Sequence, residues 1–417
     1  STEICRDHDN LRFFLGYSFV TSFSANETRA VSMLATLYVV RMLGLFMVLP
    51  LISIYSADMV GATPFLLGLA VGAYGLTQAV LQIPMGWLSD HIDRRWVIVF
   101  GLLLLVAGSV VAALSTSIWG VIGGRFLQGA GAIASATMAL VADYTRVEQR
   151  AKASAIIGGS IAIAFGLALV LGPTFANFGG LQLVFAATGA LALAGIVVVA
   201  FLPKPQRVQR AHREEGAGFN RSRLADVLSI KSLNTMYLSI FFLHFILMAV
   251  FVVVPSSLET QANISREHHA WVYLGALVLA VPGIYWLIQG RRYMNAPTRT
   301  LLTCLGVLLV GLMSLAIGGP SGTLFGLLLF FTGFTALEAM LPSLASIYAP
   351  VDSRGTAMGV FASSQFSGVF FGGVLGGALL ETFGVIGVWL GLSVLALGWV
   401  FLLSMSRLAS PISFEAT

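Results

Sequence analysis

Charged residues are scarce in this chain. Of its 417 residues only 10% are Asp, Glu, Lys or Arg, where a soluble domain carries about a quarter. An ordinary water-facing surface is therefore excluded. Cysteine is nearly absent as well. Cys5 and Cys304 are the only two, and Cys304 falls inside an apolar run, so no disulfide framework is implied and the redox compartment stays open. A glycine-rich phosphate loop is missing, as is any large soluble domain, which argues against ATP hydrolysis as an energy source. No cofactor, metal site or enzymatic activity is expected.

What the chain does have is apolar length. Hydrophobic residues make up 57% and the mean hydropathy is +0.90, values of an integral membrane protein. Twelve apolar segments, most of them ~20 residues or longer, can each cross a ~30 Å hydrocarbon core. They are read at 31–56, 64–89, 95–115, 118–143, 149–175, 180–203, 233–258, 267–289, 298–318, 321–349, 353–381 and 384–407. The expected fold is all-α, with twelve transmembrane helices in two six-helix halves. An N-terminal segment 1–30 precedes the half 31–203, a polar linker 204–232 follows, and the half 233–407 ends in a tail 408–417. The apolar stretch 13–23 is too short to span. Within the linker, 224–230 reads either as a short amphipathic surface helix or as disordered chain.

The net charge of +5 does not indicate nucleic acid, because nearly all the bases lie in loops beside spans. With both termini in the cytoplasm, 20 of the 23 Lys and Arg fall inside, Arg266 alone falls outside, and Arg41 and Arg125 lie within spans. That asymmetry sets the orientation.

Spans 2 and 3 are joined by Gly86-Trp87-Leu88-Ser89-Asp90-His91-Ile92-Asp93-Arg94-Arg95. So short a hinge forces an antiparallel pair. Asp90 and Arg94 stand four apart, so their charges meet if the turn stays helical. This stretch resembles the first-half signature of the major facilitator superfamily: a Gly, an Asp and a basic pair between helices 2 and 3. His91 replaces the usual Arg, and Asp93 stands where Gly is usual. Asp tolerates positive φ, which would let the turn survive. The competing reading is a cytoplasmic loop that merely carries positive charge.

Other stretches agree with the resemblance. Arg125-Phe126-Leu127-Gln128-Gly129-Ala130-Gly131-Ala132 is similar to the helix 4 motif of proton-coupled members. Gly172-Pro173, with Gly159 upstream, is similar to the helix 5 motif of antiporters, although Ala168, Ala176 and Asn177 stand where glycines are usual. Asp143 and Arg150 bracket the loop between spans 4 and 5, as acid and base do in the family. The runs Arg41 to Pro50 and Glu338 to Leu344 resemble YajR-like drug/proton antiporters. The chain also repeats at an offset of 204: Leu140, Tyr144, Val147, Arg150, Ala153, Gly172 and Gly180 fall on Leu344, Tyr348, Val351, Arg354, Ala357, Gly376 and Gly384. Halves repeated in one orientation imply an axis along the membrane normal, with the substrate between them near the midplane, as in this superfamily. The second copy of the signature, Gln289-Gly290-Arg291-Arg292, keeps bases but has no acid.

Ionisable groups inside spans are costly and mark pathways. Arg41, His244 and Glu338 each lie ~15–17 Å from the cytoplasmic ends of spans 1, 7 and 10, at ~1.5 Å per residue, near the midplane. The resemblance turns these three spans toward one central cavity. One reading is a static Arg41–Glu338 ion pair that ties the halves together. The other is that Glu338 takes and releases a coupling proton, since an apolar cavity favours the neutral carboxyl and a neighbouring cation the charged one. His244 either shares that role or is a polar wall. Arg125 lies ~27 Å along span 4, where its side chain either snorkels to the outer interface or takes part in coupling. Gln128, one turn on, shares its face.

Tyr74, Gln78 and Gln82 form an i, i+4, i+8 polar stripe on span 2. With Tyr38, Gln128, Phe245, Met248, Phe331, Phe334 and Gln365 they are the expected substrate cavity, joined by Phe241, Phe251 and Phe361. About half of the phenylalanines are expected to face lipid instead. An aromatic, Met-rich cavity suits amphiphilic compounds of varied shape. Gly86, Asp90, Arg94, Asp143, Arg150 and Arg354 are expected to form a conformational latch, with Asp90 against the start of span 11 as in the family. The resulting expectation is a proton-coupled secondary transporter, exporting amphiphilic small molecules by antiport. It would act as a monomer in the inner (plasma) membrane, with substrate, protons and the lipid bilayer as partners and no nucleic acid. Two alternatives stand beside it: a nutrient symporter or uniporter with Arg41 on an anionic substrate, and a non-transporting receptor on the same fold.

Overall fold

The computed structural model describes residues 23–57, 59–146, 149–203, 221–288, 296–350, 353–406 and 408. Most of the expected N-terminal segment, linker residues 204–220, the stretch 289–292 and the tail beyond 408 lie outside them. All regular secondary structure among the described residues is helical, apart from one isolated bridge between Val60 and Ser117.

Helix α1 (Ala25–Met47) begins six residues before the expected start of span 1. Ser24 and Glu27 form a capping box, the Ser24 hydroxyl accepting from the Glu27 N–H and the carboxylate from the Ser24 N–H. Two orphan donors of the first turn are thereby satisfied. At Val48 the helix gives way to α2 (Leu49–Tyr55), whose second residue is Pro50. A proline there has no N–H to return to the preceding turn. Thr63 caps α3 (Pro64–His91). Asp93 caps α4 (Arg94–Leu114), accepting from the Arg95 N–H at 3.0 Å. This corrects the expectation for Asp93: its φ is −61°, and the residue serves as an N-cap instead of a left-handed turn.

The segment read as one span at 118–143 is broken. Helix α5 (Ile118–Ala130) stops, Gly131–Ile133 are irregular, and α6 (Ala134–Tyr144) restarts without a side-chain cap. Spans 5 and 6, read as separate, are two helical stretches that meet end to end at a kink within α7 (Arg150–Ala200), where the backbone leaves helical geometry at Gly179 and Gly180. Then come α8 (Arg221–Ser229), α9 (Lys231–Thr260), a 3₁₀ turn at Arg266–His268, α10 (His269–Ile288), α11 (Pro297–Ile317), α12 (Gly319–Tyr348) and α13 (Arg354–Met405). Helix α8 decides the 224–230 question in favour of helix. The last element repeats the form of α7, leaving helical geometry at Gly384. Gly180 and Gly384 have φ of 63° and 65°, a region open to glycine and closed to most side chains. Both the starts and the breaks of α7 and α13 are separated by 204 residues, the offset of the sequence repeat.

Ten stretches among the described residues are long and apolar enough to cross a membrane: α1 with α2, α3, α4, α5 with α6, α7, α9, α10, α11, α12 and α13. Helix α9 is the most enclosed, with every residue from Leu243 to Pro255 buried. Trp96, Trp119 and Trp271, each at a helix start, stay exposed, where amphipathic rings meet the headgroup level.

Candidate functional site

The ionisable groups expected at mid-span fall into two clusters. The first gathers on α1, α3 and the broken α5–α6 segment. Arg41 is 3% exposed. Its Nη2 donates to the Tyr74 hydroxyl at 3.4 Å, the Gln78 carbonyl at 3.5 Å and the Gly131 carbonyl at 3.4 Å, and its Nη1 is buried with no partner. Tyr38 donates to the Ala134 carbonyl at 3.1 Å, so two side chains of α1 hold the backbone where α5 ends and α6 begins. Irregular backbone at such depth is tolerated only where protein or a cavity satisfies it. Gln78 donates to Gln82 at 2.9 Å, and the stripe Tyr74, Gln78 and Gln82 is buried along one face of α3.

Arg125 belongs to this cluster too. Its side chain is 1% exposed and does not reach for an interface. It donates to Gln128 at 2.9 Å and to the Ala70 and Val71 carbonyls, and its guanidinium lies 5.1 Å from the centre of the Tyr74 ring. Gln128 passes the chain of bonds on to Ser109 at 2.9 Å. The snorkelling reading is overturned because two α3 carbonyls and a facing ring satisfy the fork inside the protein.

The second cluster sits on α9, α12 and α13. His244 Nε2 stands 3.7 Å from Glu338 Oε2 and 2.8 Å from Gln365 Nε2, with the Phe334 ring edge-on at 6.0 Å. His244 Nδ1 faces the Ile240 carbonyl at 3.2 Å. A carbonyl only accepts, so this contact assigns the proton to Nδ1 and leaves Nε2 to accept from the Gln365 amide. Glu338 has one oxygen buried without a hydrogen bond, yet its side chain is 36% exposed. The expected static pair is corrected: among the described residues no ion pair joins Arg41 to Glu338, and His244 takes that place. Tyr74 and Phe366 link the clusters by an edge contact at 6.0 Å.

The aromatic residues expected to line a cavity are more enclosed than expected. Phe245, Met248, Phe251, Phe331, Phe334 and Phe361 are all buried, and Phe241 and Gln365 are half-buried. The expectation that half of them face lipid is therefore corrected. Phe331, at 1% exposure, packs beside Phe330 and has little surface to offer a solute.

At the hinge between α3 and α4, Arg94 bridges Asp90 and Asp143, each at 3.3 Å. Asp90 closes α3 and Arg94 opens α4, so the i, i+4 pair meets across a turn and not along one helix. Gly86 admits the Ser135 side chain of α6. Arg150 donates to the Ala142 carbonyl at 3.5 Å. Arg354 is exposed at the start of α13, and among the described residues Asp90 makes no ion pair with it. The backbone of α7 at Gly172, beside Pro173, presses against Met47, where α1 ends; open space surrounds Gly159.

Sequence reading missed the opposite end of the bundle. There α3 and α13 meet backbone to backbone: a Cβ on Gly373 would lie 2.6 Å from the Gly68 carbonyl oxygen, and one on Gly377 would lie 2.6 Å from that of Pro64. The Phe65 N–H donates to Glu381 Oε2 at 2.8 Å, placing a carboxylate at the N-terminus of α3. Ser53 of α2 donates to the Phe251 carbonyl of α9 at 3.2 Å. The spacing of glycines at 68 and 72 and at 368, 372 and 376 was a visible small-residue signal for such close packing. Around Gly158, Gly355 and Gly359, near the starts of α7 and α13, there is open space. Among the described residues no group of His, Cys, Asp and Glu is arranged to hold a metal ion.

Comparison with known proteins places this geometry. The profile described as Major Facilitator Superfamily matches residues 34–370. The inner membrane transport protein YajR of Escherichia coli is 41% identical over 387 residues, covering 91% of this chain and 84% of that protein. The multidrug resistance protein MdtH of Aeromonas salmonicida is 27% identical over 345 residues, covering 81% and 84%. Among solved structures, a bacterial homologue of the human lysosomal transporter Spinster, in an inward-facing and occupied conformation, superposes with a TM-score of 0.73. It is 14% identical, with 93% of this chain and 98% of that one covered.

Proposed function

The chain belongs to the major facilitator superfamily of membrane transporters, and from that premise we propose that it is a proton-coupled antiporter exporting amphiphilic small molecules from the cell. The observation that carries the reading is Glu338, an acid in the middle of α12 that is partly open and faces His244 at 3.7 Å. An ionisable group at that depth is costly and needs a use. In this reading α7 and α13 each count as two spans, giving twelve in two groups of six, 31–203 and 233–407, joined by the linker. Both termini lie in the cytoplasm, and the protein works as a monomer in the inner membrane.

The mechanism follows from the contacts. Close packing of α3 on α13 at Gly68, Gly373 and Glu381 seals the outer end. The starts of α7 and α13 at Gly158, Gly355 and Gly359 show no such close contact, which supports an inward-facing reading of this conformation. Substrate enters from the cytoplasm between the two clusters. A proton arriving at His244 Nε2 removes the acceptor that Gln365 uses, so the amide must rotate to present its oxygen. The imidazolium then attracts Glu338, while a proton on Glu338 abolishes that attraction. Protonation therefore changes the contact between α9, α12 and α13, the helices that must shift for the outer end to open. A ligand moves such an equilibrium only by the difference in its affinity for the two states. In the outward-facing state Asp90 leaves Arg94 for the start of α13 near Arg354, and the latch closes the inner end. Names of multidrug resistance proteins among the relatives support efflux.

The experiment is a screen of amphiphilic compounds against purified protein in liposomes, reading proton flux under an imposed pH gradient. Substrate-dependent proton movement opposite to substrate movement is expected. Co-directional movement would favour a symporter, and no movement for any compound with intact folding would favour a receptor.

A further inference from the structure

Two guanidinium groups are buried in the first cluster, and neither has a carboxylate partner among the described residues. Arg125 is held by one short bond to Gln128 at 2.9 Å and by the Tyr74 ring at 5.1 Å, with two longer contacts to carbonyls. Arg41 is not. Its Nη2 reaches three neutral acceptors at 3.4 to 3.5 Å, all beyond the usual range of hydrogen-bond lengths, and its buried Nη1 reaches nothing. A guanidinium stays charged at any physiological pH. A buried cation without a counter-charge is strongly destabilising, and in native proteins it is paired.

The surroundings also lack negative charge where it is wanted. Arg41 lies at Gly131, in the break between α5 and α6, and α6 restarts at Ala134 with no side-chain cap. The first N–H groups of a helix have no partner inside it and carry the positive end of its dipole. An uncapped helix start of eleven residues and an orphaned guanidinium therefore stand side by side. Beside them lies an apolar wall, the Tyr74 and Phe366 rings in edge contact at 6.0 Å.

We infer that Arg41 is the binding site for an anionic group on the transported molecule, a carboxylate or sulfonate carried by an apolar or aromatic body. This deepens the proposed function and rests on its reading of a transported small molecule. The anion takes Nη1 of Arg41 and the free N–H groups at the start of α6, while its body packs on Tyr74 and Phe366. The planar fork of Arg suits a carboxylate held by two parallel bonds. Anionic amphiphiles are therefore the preferred class, ahead of neutral or cationic ones of the same shape.

The test measures binding without a gradient, by thermal stabilisation and calorimetry of the full chain in detergent. The probes are 1-naphthoate, its neutral isostere 1-naphthamide, the cation 1-naphthylmethylammonium, and sodium chloride as a small inorganic anion. Wild type should bind 1-naphthoate about ten-fold or more tightly than the amide, the usual margin for a charge-assisted bond. Arg41→Gln should erase that preference and leave amide binding in place. Arg41→Lys, which keeps the charge and loses the fork, should retain part of it, and it stands in if the Gln variant does not fold. Equal affinity for the three naphthyl compounds, no binding of 1-naphthoate, or a preference that survives Arg41→Gln would overturn the inference. Stabilisation by chloride equal to that by 1-naphthoate would overturn the organic ligand. A carboxylate preference without proton movement in liposomes would keep this site and sink the antiport reading; proton-coupled export with no carboxylate preference would do the reverse.

Discussion

Glu338 and His244 face each other at 3.7 Å across α12 and α9, too far for a hydrogen bond and close enough for an ion pair. Gln365 sits on the same ring nitrogen at 2.8 Å. Three helices thus meet at one nitrogen, whose protonation state decides whether it serves the amide or the carboxylate. A proton and the Gln365 N–H compete for its lone pair, and Glu338 gains a charged partner only when the proton takes it, which makes the contact sensitive to protonation in a way that a buried Arg–Glu pair would not be.

Glu338→Gln should abolish uphill, gradient-driven transport and leave substrate binding and equilibrium exchange largely intact. The amide keeps the shape and fixes the uncharged form, and coupling needs both protonation states while exchange needs only reorientation of the loaded protein. Flux assays in proteoliposomes check this. Uphill flux at wild-type levels would exclude Glu338 as the required proton site and move attention to His244.

Arg41→Met combined with Glu338→Gln should not restore gradient-driven transport. Restoration is the expected result for a buried pair whose two members are removed together, but in this conformation the two belong to separate clusters. Their effects on thermal stability should add to within about 0.5 kcal/mol. Recovered transport in the double variant would sink the separation of roles.

Asp90→Asn should weaken the outward-facing state. An acid at a helix N-terminus contributes ~0.3–2 kcal/mol, enough to shift a conformational ratio several-fold. Crosslinking between cysteines introduced at the hinge of α3 and α4 and at the start of α13 should fall. Unchanged crosslinking would leave only a loop that carries charge.

Gly373→Val and Glu381→Gln should both loosen the opposite end. The valine Cβ would stand 2.6 Å from the Gly68 carbonyl oxygen, where only backbone can move. The amide at 381 weakens the bond from the Phe65 N–H by removing its charge. Labelling of a cysteine placed near Gly68 by a membrane-impermeant reagent, added from outside, should rise in both variants. The valine should have the larger effect. Protection equal to wild type in the valine variant would mean that the α3–α13 contact does not seal the bundle.

Much of the architecture was legible in composition and spacing. Runs of apolar residues with almost no charge mark helices that lie in lipid, because a membrane leaves the backbone no partner except itself. The 204-residue offset, read from residues such as Arg150 and Arg354 or Gly180 and Gly384, returned as the starts and breaks of α7 and α13. The four-residue spacing of Gln78 and Gln82 placed them on one face, where they bond. Asp90 and Arg94 met as their spacing required. These are local relations, set by helix pitch and by the cost of charge in hydrocarbon.

The partners of the buried charges were decided elsewhere. Depth alone put Arg41, His244 and Glu338 at one level, but depth carries no information on how each helix is rotated. Rotation is set by packing, and the glycines of α3 and α13 press those two helices together so closely that their faces have little freedom. That contact brings Tyr74 to Phe366. Arg41 then lies among Tyr74, Gln78 and the broken backbone at Gly131, while Glu338 is left to His244. Arg125 looked long enough to reach an interface, yet α3 covered it and supplied carbonyls. A side chain's reach is a property of its residue; what it finds within reach depends on helices far away in the chain. The sequence by itself determined a polytopic helical protein with a repeat and four costly ionisable groups inside spans. Only the tertiary structure decided what each of them meets, and that at Arg41 one buried nitrogen of the guanidinium meets no hydrogen-bond acceptor.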